Sequence, residues 1–337
     1  MAGWDVYASW VLIGVVGSLL ITAINYRGIK EAAFLQTILT VAIFLVGMML
    51  VGGSAVNGET ELLKPFFKDG WSGLFPVMLM TPFMFVGFDV VPQAAEEMNV
   101  PLKSIGRIIV LSVCLAVLFY VFVIFGVSYV LPVGEVAKSS LPTADAMAAA
   151  FGSPFFAKVL IIGGLAGILT SWNAFIIGGS RVLYAMAKDN ILPEWFGRLH
   201  PKYKTPANAI WFIGILATFA PFLGRPMLVW LVDAGGLTIT IAYFMVSWAF
   251  IALRNKEPDM PRPFKAGKSP IIGWIALVLT AGFIVLYMPG MPSQLVWPYE
   301  WAIFLGWWVI GAIFLIRLNT IKKRKHWMAE VQEGKEL

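Results

Sequence analysis

The residue whose chemistry stands out is an aspartate in an apolar stretch. Residues 76–92 read PVMLMTPFMFVGFDVVP, and Asp89 shares them with Pro76, Pro82, Pro92 and Gly87. Each proline removes a backbone donor and crowds the preceding turn, while glycine admits dihedrals closed to other residues. This spacing predicts a helix broken near the middle of a membrane. Such a break exposes backbone groups: half-helix N-termini attract carboxylates, and unwound carbonyls accept amines or cations. Asp89 beside it could place an ammonium group or carry a proton, since burial raises a carboxyl pKa and a nearby amine lowers it. The plainer alternative is a proline kink of the kind membrane helices tolerate.

Other polar residues in apolar surroundings are weaker candidates. Glu96 and Glu97 close the same stretch, where a solvated or gate-forming acid pair is the simpler reading and a coupling role the sharper one. Asp233, beside Gly235 and Gly236, can equally be an interfacial acid or a gating residue that lines a cavity. Glu300 starts the last apolar stretch and reads as interfacial. Asn173 lies deep in another stretch, between Trp172 and Phe175, and needs a partner, a water or a cavity there. Reactive constellations are missing from the pattern. One cysteine, Cys114, and two histidines, His200 and His326, make no disulfide framework and no structural zinc site. No Ser/His/Asp, metal or phosphate-binding arrangement is visible, so no catalytic residue, metal or cofactor is assigned and an enzyme is not expected. The glycine pairs at 163–164, 178–179 and 235–236 are read as helix-packing positions.

The elements that must hold these residues follow from composition. Of the 337 residues, 59% are hydrophobic and only 13% charged, with 25 Phe and 14 Trp, and mean hydropathy is +0.80. A soluble domain has about a quarter of its residues charged, so this chain has too little polar surface for water. A hydrocarbon core about 30 Å thick needs roughly 20 apolar residues per helix. Stretches near 8–24, 31–53, 72–95, 105–131, 156–184, 207–224, 228–253, 270–289 and 299–318 qualify, which predicts an all-α polytopic membrane protein of about nine helices. One transmembrane domain, 1–318, is expected, followed by a basic tail, 319–337. All Lys and Arg except Lys64, Lys68, Lys138, Lys158 and Arg225 fall on one side of this arrangement, including the run Lys322–Lys325. The positive-inside rule then puts the C-terminus in the cytoplasm and the N-terminus outside. The basic run reads as a cytoplasmic anchor, not a nucleic-acid patch. No cleavable leader is expected, because no basic residue precedes the first apolar stretch.

Three segments carry a family resemblance. Residues 180–206, SRVLYAMAKDNILPEWFGRLHPKYKTP, closely resemble the cytoplasmic segment after the eighth helix of amino acid permeases of the APC (amino acid–polyamine–organocation) superfamily, with Asn190 in place of the usual glycine. Residues 25–36, NYRGIKEAAFLQ, resemble the turn between that family's fourth and fifth helices. Residues 85–99, FVGFDVVPQAAEEMN, resemble its sixth helix, although Asn99-Val-Pro101-Leu-Lys103 departs from the tighter N-P-x-[RK] pattern. The resemblance implies helices four to twelve of the 5+5 inverted-repeat (leucine-transporter-type) fold, with the first three helices expected to be absent. It also implies a multi-pass protein of the cytoplasmic membrane.

The resemblance further implies a secondary active transporter moving amino acids or related amines by alternating access. Alternatives are a polyamine or small-amine transporter or exchanger, or a non-transporting membrane remnant or subunit. With half of the family's site missing, the isolated chain is not expected to transport. By resemblance, Phe83 is an aromatic gate, Gly87 and Phe88 lie at the unwound bend, and Asp89 takes the acidic position used by some cationic-substrate members. Phe175 falls near an aromatic of helix eight that narrows the pathway, and Asn173 completes the expected substrate-binding set. Asp89, Glu96, Glu97 and Asp233 are the coupling or gating candidates. Protons remain open as partners beside the amine substrate and the bilayer. The lysine that some members carry in helix five is replaced at about Ile43, so proton coupling through that device is not expected. No oligomeric state is legible.

Overall fold

A computed structural model describes residues 6–66, 70–71, 73–74, 77–78, 84–267 and 269–333. Among them the regular structure is entirely helical: α1 (Ala8–Arg27), α2 (Ile29–Asn57), α3 (Leu102–Val130), α4 (Pro142–Phe151), α5 (Pro154–Lys188), α6 (Ala207–Gly224), α7 (Pro226–Lys256), α8 (Ile271–Leu286) and α9 (Tyr299–Glu333). Seven of these are long and apolar enough to cross a membrane. At 16 residues, α8 is shorter than a full span, and α4, at 10 residues, is about 15 Å long and cannot cross one. The span expected at 72–95 lies partly outside the described residues; from Phe85 onward its described part is irregular, as detailed below.

Local sequence sets the helix ends. Pro142 occupies the first turn of α4, where its missing N–H is no loss, and Gly152 closes that helix in the left-handed conformation (φ 63°). Between α6 and α7, Gly224 (φ 75°, ψ 172°) interrupts the helical path with Pro221 and Pro226 on either side. This break separates the two stretches expected at 207–224 and 228–253. Beyond Lys188 of α5, Asn190 takes φ 62° while the Ile191 N–H returns to the Met186 carbonyl at 2.9 Å. Asparagine tolerates that conformation better than other side chains, which explains how it can stand at a family glycine position.

The helices form two compact units. One comprises Gly28–Gly178 with Pro261–Ala266, the other Met1–Arg27, Gly179–Met260 and Gly267–Leu337. In the first, α2 packs on α3 and α4 through Leu50, Val127, Ala146 and Met147, with Phe151 stacked on Phe156 at 4.4 Å. In the second, α1 packs along α6. A Cβ at Gly14 would meet Pro221 Cγ at 2.5 Å, and the Ser18 hydroxyl donates to the Gly214 carbonyl at 3.1 Å. At the end of α1, Thr205 donates to the Tyr26 carbonyl, and Tyr26 meets the His200 ring edge-on at 5.1 Å. His200 Nδ1 accepts the backbone N–H groups of Lys202 and Tyr203, which folds the HPKYKT turn onto this aromatic cluster. Elsewhere the helices present apolar side chains outward, such as Ile13 (72% exposed) and Ile162 (67%). In water such a surface would aggregate; in lipid tails it meets its own kind of solvent.

Candidate functional site

The irregular segment from Phe85 to Glu97 is the feature that gathers chemistry in the Gly28–Gly178 unit. Phe85–Asp89 forms consecutive turns, Val90–Gln93 makes a single helical turn, and Ala95–Glu97 follows as a 3₁₀ turn. Gly87 has φ 119°, a conformation that strains an L side chain, although the space beside it is open. Glycine is therefore needed here for its backbone, not for its size. Helix α3 steadies the entry to the bend: Tyr120 donates its hydroxyl to the Met84 carbonyl at 3.3 Å, and its ring meets Phe85 edge-on at 5.5 Å.

Asp89 is bound into the bend through both carboxylate oxygens. Oδ1 accepts the Gly87 N–H at 3.0 Å and Oδ2 accepts the Gln93 side-chain amide at 3.0 Å. Both donors are neutral, and among the described residues no Lys, Arg or His forms an ion pair with this carboxylate. Gln93 was not among the residues expected at the site. The signal that could have found it is its place four residues after Asp89, the helical spacing for a side-chain pair.

The other expected residues have distinct placements. Phe83 lies outside the described residues. Phe88 is at the bend, partly exposed, while Glu96 and Glu97 are exposed beyond it. Asn173 on α5 is fully buried, and its amide donates to the Ala32 carbonyl at 3.0 Å and to the Gln36 side chain at 2.9 Å, both on α2. Those two bonds use both amide hydrogens, so Asn173 joins α5 to α2. Phe175, two residues on, is 48% exposed. Ile43 on α2 packs where a Cβ on Gly167 of α5 would stand, 2.6 Å from its Cδ1.

Asp233 belongs to the other unit. Its carboxyl faces that of Glu300 on α9, within the same unit. Glu300, read from sequence as interfacial, is only 2% exposed and also accepts the Val296 N–H at 2.6 Å. Its apolar neighbours in sequence gave no sign of a partner some 70 positions upstream. Among the described residues no three His, Cys, Asp or Glu side chains converge as metal ligands would.

Seven helices of membrane length describe a polytopic helical membrane protein, and among the described residues the Asp89 carboxylate has no ion-pair partner. The chain belongs to the amino acid permease family, whose model matches residues 2–314, and hence to the APC superfamily; its relatives are permeases and transporters, not enzymes. It is 31% identical over 313 residues to the branched-chain amino acid permease BcaP of Bacillus subtilis, covering 91% of this chain and 62% of that protein. It is 29% identical to the methylthioribose transporter of Bacillus subtilis, covering 97% of this chain and 70% of the relative. A cationic amino acid transporter of Arabidopsis thaliana, number 7 and chloroplastic, is 28% identical over 91% of this chain and 52% of its own length. The chain thus spans between about half and about 70% of these relatives.

Proposed function

We propose that the protein is a secondary transporter that moves an amino acid or a related amine across the cytoplasmic membrane by alternating access. The observation that carries this reading is Asp89: a carboxylate fixed at a helix break by two neutral donors, with its charge unmatched among the described residues. A carboxylate met only by neutral donors favours a cation as its further partner, and an α-ammonium group supplies one. The bend supplies further backbone groups for the rest of an amino acid. Relatives named for branched-chain and for cationic amino acids support the class of substrate without choosing within it. Gly87, Phe88 and Asp89 form the substrate-facing set, with Phe83 and Phe175 as aromatic walls. Asp233 is a gating residue, and Glu96 and Glu97 are gating acids of the cytoplasmic side. Ile43, apolar and packed against α5, supports a mechanism in which protons do not pass through that position of α2.

The test is uptake into right-side-out vesicles from cells expressing the gene, with leucine, lysine and a diamine as competing substrates. Asp89→Asn should lower amine uptake at least tenfold, the size of a lost charge-assisted bond of about 1.5–3 kcal/mol. Uptake with unchanged amine selectivity and unchanged pH dependence would remove Asp89 from the mechanism.

A further inference from the structure

A carboxylate that must meet an ammonium has to be aimed as well as charged, and the aim of Asp89 is set by a residue with no charge of its own. The Gly87 N–H holds Oδ1 from the unwound side of the bend, while the Gln93 amide holds Oδ2 from the helical turn that follows, each at 3.0 Å. One donor would leave the carboxylate free to swing about its bond to Cβ; two donors on different oxygens fix its plane. A carboxylate only accepts, so the nitrogen of the Gln93 amide faces Asp89 and its oxygen faces away. That oxygen lies against Gly178 of α5, in the space a Cβ would fill, with Val90 Cγ2 the next nearest atom to that Cβ at 3.1 Å. Gly178 is buried and helical, so its value here is the room it leaves.

We propose that Gln93 is the positioning residue for Asp89 and that Gly178 is the space which admits it, so that α5 fixes the direction in which the carboxylate meets a substrate ammonium. Glutamine suits this task chemically. Its amide donates at any pH and leaves the charge of Asp89 intact for a ligand, whereas a lysine at the same place would neutralise it. This inference rests on the reading of Asp89 as the ammonium partner.

The experiment measures binding to the purified full chain in lipid nanodiscs, using leucine and lysine and, for each, its analogue lacking the α-amino group. Gln93→Ala should weaken the amino acid about tenfold relative to its des-amino analogue, as loss of one bond to a charged group predicts. Gln93→Lys should abolish the preference for the ammonium altogether. Gly178→Ala should reproduce the Gln93→Ala defect, because the new methyl displaces the amide. The double variant should be no worse than Gln93→Ala alone, since removing the glutamine side chain also removes the clash. Gln93→Met, which keeps the length without the donor, serves if the alanine variant does not fold. Equal weakening of amino acid and analogue would reduce Gln93 to a packing residue, and additive defects would disconnect Gly178 from it. Asp89→Asn separates the two ideas. If it leaves the discrimination untouched, the reading of Asp89 fails; if it removes the discrimination and Gln93→Ala does not, only the positioning role fails. If the unaltered protein binds neither amino acid, the transport reading fails and this inference falls with it.

Discussion

At the scale of single residues, polar atoms in this chain are used in two ways. The Asn173 amide donates to the Ala32 carbonyl and to the Gln36 side chain, which ties α5 to α2 within the Gly28–Gly178 unit. Interhelical hydrogen bonds in membranes contribute about 0.6–2 kcal/mol each. Asn173→Ala should therefore lower stability by about 1–3 kcal/mol and leave the discrimination between amino acid and des-amino analogue unchanged. Thermal unfolding in nanodiscs, read beside binding, checks both halves; a selective loss of amino acid binding would return Asn173 to the substrate site. Gly87→Ala isolates a different cost. Nothing occupies the space beside Gly87, so the penalty comes from φ 119° alone and should be about 1–2 kcal/mol. Asp89 and Gly87 were legible in the sequence because an acid and helix breakers are conspicuous among apolar residues. Asn173 was legible only as a polar group in need of a partner. The partner, a backbone carbonyl 141 positions away, has no side-chain signature.

At the scale of elements, seven of the nine stretches picked out by hydropathy coincide with membrane-length helices among the described residues, since a helix can satisfy its own backbone in lipid. Hydropathy placed their ends short. Apolar stretches at 31–53 and 156–184 become helices Ile29–Asn57 and Pro154–Lys188, since hydrogen bonding along the backbone continues past the hydrocarbon into polar residues. The short α4 escaped a reading tuned to spans, although Pro142 at its start and Gly152 after its end are ordinary helix punctuation. What hydropathy does not see is the fit between helices. A Cβ on Gly163 of α5 would stand 2.9 Å from Val46 Cβ on α2, and a β-branched side chain has little freedom to retreat. Gly163→Leu should push α5 from α2 and lower stability by about 1–3 kcal/mol. Pairing it with Val46→Ala should restore part of that loss. Thermal unfolding of the two single variants and the double variant measures the coupling. Full additivity would mean that the two helices do not meet at this pair.

At the scale of the whole chain, the unequal distribution of Lys and Arg is a statement about orientation. Lys138 precedes α4, which is too short to cross, and Lys202 follows α5, which is long enough. One crossing is therefore expected between them, which predicts opposite sides of the membrane for the two lysines whichever way the protein is inserted. The positive-inside rule chooses between the two insertions. Lys202 lies among Arg198, Lys204 and Lys188, a basic neighbourhood that resists translocation, whereas Lys138 is isolated. Both side chains are exposed, so a cysteine at either position can be labelled. With Cys114 replaced by serine, Lys138→Cys should react with a membrane-impermeant maleimide on intact cells. Lys202→Cys should react only after permeabilisation. The same pattern reversed would invert the protein and put Glu96 and Glu97 outside, removing them as cytoplasmic gate acids. Equal labelling of both positions from one side would mean that α5 does not span the membrane. The depth assigned to Asp89 would then lose its frame, because α5 carries Gly178, against which the Gln93 amide is seated.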